Sequence, residues 1–73
     1  MTNIDPSSKV LEQLENAEAL KMAGQHKEAL EILETLLTEE PENVSALEEI
    51  ADNELALEHT SRAHKAAKQA IDL

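Results

Sequence analysis

An all-α fold of four helices, paired as two stacked antiparallel hairpins, is what this sequence predicts. Three observations carry that expectation. The 73 residues are dominated by Ala, Leu, Glu, Lys and Gln, all strong helix formers. Apolar residues recur every three or four positions, and no segment alternates apolar and polar residues for long enough to make a strand. The breakers are few: Gly24 is the one glycine, and Pro6 and Pro41 are the two prolines.

The first helix is expected from Ser7 to Ala23. Asp5 suits the cap before it, and Pro6 suits the first helical position, where a missing N–H costs nothing. Val10, Leu14, Ala17 and Leu20 make its apolar stripe, with Leu11 and Met22 beside it. Gly24 supplies a left-handed stop. A second helix is expected from Lys27 to Thr38, with Ala29, Leu30, Leu33, Leu36 and Leu37 on one face and Ile32 flanking. Pro41 ends it, because the residue before proline disfavours helix. The third runs from Val44 to Leu57 behind an Asn43 cap. Its face is Leu47, Ile50 and Ala51, adjoined by Val44 and Leu55. The fourth follows a Thr60 or Ser61 cap to the C-terminus, with Ala63, Ala67, Ala70 and Ile71 as its stripe. Links this short make sequential helices pack antiparallel. The chain thus divides into a leader (1–6), a first hairpin (7–42) and a second hairpin (43–73).

Composition excludes several classes. There is no Cys, so neither a disulfide framework nor a thiolate metal site is available. Apolar runs are short, such as Val10-Leu11, Ala19-Leu20 and Leu36-Leu37, against the roughly 20 residues a membrane span needs. The start, MTNIDPSSK, has no apolar signal core. A soluble, cytoplasmic protein is expected. The formal charge is −10 and there is no Phe, Trp or Tyr. Both facts disfavour nucleic acid, which needs cations for its phosphates and flat rings for its bases.

Shifting the chain by 34 residues superposes the hairpins: Val10 falls on Val44, Ala17 on Ala51, Ala29 on Ala63, Leu36 on Ala70 and Leu37 on Ile71. The agreement is one of pattern more than identity. The first hairpin reads Gln13, Asn16, Ala17, Leu20, then Ala29, Leu33 and Pro41, with Gly24 at the turn. The second reads Leu47, Ile50, Ala51, then Ala63, Ala67 and Ala70, with Glu58 at the turn. In these spacings the chain resembles the tetratricopeptide repeat family over about residues 10–73. It departs from that family at the large positions, held by Gln13, Leu20 and Leu33 in one hairpin and Leu47, Glu54 and Ala67 in the other.

The resemblance implies a protein–protein interaction module whose groove is lined by the first helix of each hairpin. The groove positions are Leu11, Leu14, Glu18, Lys21 and Met22, then Ser45, Glu48, Asp52, Leu55 and Ala56. Three acids and one base on that lining favour a basic or amphipathic protein or peptide partner. Some relatives grip a carboxylate terminus with cations. Leu14, Glu18 and Glu49 stand at the matching places here and would repel one. The alternative is a helical bundle that self-associates, as a homo-oligomer, through the open end of helix four. An array end is usually polar, whereas Ala70 and Ile71 are apolar, so a fragment of a longer array is a further expectation.

Charge is uneven. Residues 1–58 sum to −12 and residues 59–73 to +2, with Arg62, Lys65 and Lys68 spaced by three along helix four. These cations are expected to screen the acidic hairpin. His59 and His64 are five apart and His26 lies in a turn, so neither metal nor cofactor is expected. No catalytic set is present, and Ser7, Ser8, Ser45 and Ser61 read as helix-start caps, so no enzyme is expected. Ala17 and Ala51 are expected at close helix crossings, where a bulky replacement costs ~1–3 kcal/mol.

Overall fold

The computed structural model describes the backbone from Pro6 to Leu73 and the side chains from Lys9 onward. Residues 1–5, with the Asp5 cap, and the side chains of Ser7 and Ser8 lie outside those residues. Four helices follow in order: α1 (Pro6–Met22), α2 (His26–Glu39), α3 (Val44–Ala56) and α4 (Thr60–Asp72). Neighbours pair as hairpins, α1 with α2 and α3 with α4. The second hairpin lies on the first because α3 packs on both α2 and α1. α3 alone touches all three other helices, whereas α4 rests on α3 only. The molecule measures 45 × 29 × 14 Å.

Backbone geometry repeats at the interval the sequence suggests. α1 and α3 end at Met22 and Ala56, and α2 and α4 begin at His26 and Thr60, both 34 residues apart. Each hairpin turns through the same double hydrogen bond. Gln25 N–H donates to Leu20 O (2.8 Å) and Gly24 N–H to Lys21 O (3.0 Å). In the copy, His59 N–H donates to Glu54 O (2.8 Å) and Glu58 N–H to Leu55 O (2.9 Å). Both are Schellman endings, which use up carbonyls the helix leaves unpaired and require one left-handed residue. Gly24 takes it at φ 81° and Glu58 at φ 63°. Glycine has no steric penalty there. A residue with a Cβ carries one of roughly 1–2 kcal/mol.

One core joins the two hairpins. Ala17, Ala29, Leu30, Leu33 and Leu36 from the first meet Ala46, Ile50 and Ala66 from the second. Ala17 and Ala29 are fully buried, which lets α1 and α2 approach closely. The register of α4 differs from its expected stripe. Ala63 and Ala66 are its buried residues, Ala67 and Ala70 are half-buried, and Ile71 is 83% exposed. The cause is that, among the described residues, no helix but α3 packs on α4.

The caps differ too. Asn43 caps α3 as expected, accepting from Ala46 N–H at 2.9 Å. α4 starts behind His59 with no side-chain cap, so neither Thr60 nor Ser61 serves as one. Ser45 and Ser61 each lie one residue inside a helix, where they cap nothing.

Glu58→Gly should raise stability by about 0.5–1 kcal/mol, the left-handed penalty less the extra chain entropy of glycine. Gly24→Ala should lower it by about 1 kcal/mol although the space beside Gly24 is open. Urea midpoints at constant slope check both. Ala17→Leu should cost about 1–3 kcal/mol, whereas Ala51→Leu, at a half-buried position, should cost less than 1.

Candidate functional site: the face shared by α1 and α3

The expected groove positions follow helical spacing. Leu11, Leu14, Glu18, Lys21 and Met22 share one side of α1, and Ser45, Glu48, Asp52, Leu55 and Ala56 share the matching side of α3. The two sides adjoin. Lys21 of α1 reaches α3, placing Nζ 3.1 Å from Glu49 Oε1 and 3.5 Å from Asp52 Oδ2. Leu14 and Lys21 are half-buried and the other eight positions are exposed. Leu11, Met22 and Leu55 are the large apolar side chains left in solvent there, Met22 at 79% exposure.

Electrostatics on this face are acidic beyond the lysine. The hydrogen bond to Glu49, and the charges of Glu49 and Asp52, hold the Lys21 ammonium above its ordinary pKa against the opposing effect of burial. Lys21 is therefore committed to its own carboxylates. Glu18 and Glu48 make no ion pair among the described residues.

Behind this face lie two polar groups that sequence reasoning missed. Asn53 is fully buried. Its Nδ2 donates to Glu49 O at 2.8 Å, so its Oδ1 faces His26 Nδ1 at 2.9 Å. An amide oxygen only accepts, so His26 carries its proton on Nδ1. The bond ties the start of α2 to α3. Glu54 is 5% exposed and accepts from His59 Nδ1 at 2.7 Å. It occupies the place of Leu20 in the repeat. A polar bond thus stands where a helix ending of this kind usually has an apolar contact. One signal was available: Asn53 interrupts the spacing of Ile50 and Leu57, a polar residue on an apolar stripe.

His26 and His59 thus each bond a side chain of α3, His26 from a half-buried position, while His59 and His64 are exposed. No three metal-ligating side chains converge among the described residues. Among the described residues the ion pairing of the α4 cations is Lys68 with Asp72 at 3.3 Å, along the same helix. No described helix is long and apolar enough to cross a membrane.

No family model matches this chain, and comparison with curated proteins and with solved structures yields no match either.

Lys21→Met should lower stability at neutral pH by about 0.5–1 kcal/mol. A raised lysine pKa stabilises the fold fully below the unfolded value of 10.5 and ceases to do so as pH rises through the folded value. The gap between variant and parent should therefore persist up to that pH and close above it, as read by denaturation at stepped pH. Asn53→Ala should cost about 1–3 kcal/mol by stranding its buried partners.

Proposed function

We propose that this chain is a two-hairpin, tetratricopeptide-like interaction module with no chemistry of its own. It holds a basic or amphipathic segment of a partner protein on the face shared by α1 and α3. The observation that carries this is the lysine link: Lys21 bridges to Glu49 and Asp52, so α1 and α3 present one continuous surface. On that surface the lone cation is already neutralised, and Glu18 and Glu48 stay free to pair with a ligand. Leu11, Met22 and Leu55 offer apolar contact between the acids. The 34-residue backbone repeat and the buried small residues Ala17 and Ala29 support the family resemblance.

The double variant Glu18→Lys, Leu55→Ser tests the surface, since both residues are exposed and neither supports the core. An extended Arg/Leu peptide should bind the parent and lose about tenfold or more in affinity with the variant. Its affinity for the parent should fall with added salt and keep an apolar remainder at ~0.5 M NaCl. Equal affinity for parent and variant would contradict the assignment.

A further inference from the structure

The two hairpins share one backbone plan, yet among the described residues only the first has its far side covered by another helix. α3 lies on α1 and α2, over Ala17, Leu33 and Leu36, which are fully buried, and beside Leu14 and Leu37, which are half-buried. The same positions one repeat later are Ala51, Ala67 and Ala70, with Glu48 and Ile71 beside them. These residues line an open trough of about 640 Å³, rimmed by Glu48, Glu49 and Asp52. The trough is therefore the second hairpin's copy of the seat that α3 fills on the first.

Its lining defines what fits. Leucines 33 and 36 have become alanines 67 and 70, so the floor is deeper than the one under α3. α3 fills its own seat with Ala46 and Ile50. An occupant here needs larger apolar side chains to reach the floor without leaving voids. Where Leu14 stands beside the first seat, Glu48 stands beside the second without an ion pair among the described residues, and three rim acids, Glu48, Glu49 and Asp52, face the single cation of Lys21. The occupant therefore carries cations along its edges. We propose that the α3–α4 trough docks an amphipathic helix of a partner protein, with a bulky apolar stripe flanked by Lys or Arg. This surface is distinct from the α1–α3 face, though Glu48 and Asp52 belong to the edge of both.

A second copy of this chain fits worse in either arrangement. Head to tail, the helix offered is α1, whose residues matching Ala46 and Ile50 are Glu12 and Asn16, both exposed and polar. Glu12 would then face the acidic rim. Two-fold pairing would set two alanine floors together with only Ile71 to fill them.

The test uses the full chain and a synthetic helical peptide of about 16 residues, Leu at helical spacing and Lys elsewhere. Its controls are a scrambled peptide of the same composition and a Leu/Glu version. The patterned peptide should bind one to one, and the amide shifts it causes should centre on Ala51, Ala67, Ala70 and Ile71. Ile71→Ser, at an exposed position that leaves the melting curve unchanged, should weaken binding about tenfold or more. The variant Glu18→Lys, Leu55→Ser should bind this helix like the parent, which separates the trough from the α1–α3 face. The proposal is overturned by equal binding of the scrambled peptide, by unchanged affinity in Ile71→Ser, or by shifts centred on Leu11, Met22 and Leu55. A parent dimer in sedimentation that Ile71→Ser disperses would overturn it too, by making a second copy the occupant.

Discussion

The bed of α3 on the first hairpin is the contact on which the rest of this structure depends. α3 is the one helix that touches every other, and its Ala46 and Ile50 close the core over Ala17, Leu33 and Leu36. Without that contact the chain would be two short hairpins, each with an uncovered apolar side. A chain this small buries only around 60% of its unfolded surface, so it has little reserve to offset such a loss. Polar bonds set the register of the same contact: His26 holds Asn53 from α2, and Lys21 holds Glu49 and Asp52 from α1.

The second hairpin copies the backbone of the first but not its side chains, and around its turn and α4 several differences share a direction. Leucines become alanines at 67 and 70, Leu20 becomes Glu54, and Gly24 becomes Glu58. Each exchange removes apolar volume or adds backbone strain. The buried residues of α4 are Ala63 and Ala66, each contributing a single methyl group. α4 is therefore held by little beyond its fit to α3. A helix that packs on one neighbour and is open on its other side has room to gain further contacts from a partner.

Much of this was legible in the sequence, because helix boundaries depend on local chemistry. Gly24, Pro41 and Asn43 mark ends that the structure places within a residue or two of expectation, and the 34-residue shift predicts the equivalence of the two turns. The large-to-small pattern of Ala17 and Ala29 showed where helices come closest. Less legible was anything set by which side of a helix another helix covers. Ala70 and Ile71 lie on the same stripe pattern as Leu36 and Leu37, yet α3 covers the earlier pair and no helix covers the later one. Spacing cannot distinguish those cases. Nor does it show that His59 folds back onto Glu54, since that contact follows from the left-handed turn at Glu58. Of the groove positions, spacing placed each on its helix side, while the junction of the two sides needed the Lys21 bridge.

Amide hydrogen exchange under native conditions tests the central role of α3 most directly. The slowest amides should lie in α3 and in the part of α2 beneath it, around Ile50 and Leu33, with α4 opening first and separately. Exchange of α3 and α4 together, ahead of the first hairpin, would show that the second hairpin is an independent unit and that the α3 bed does not hold the fold.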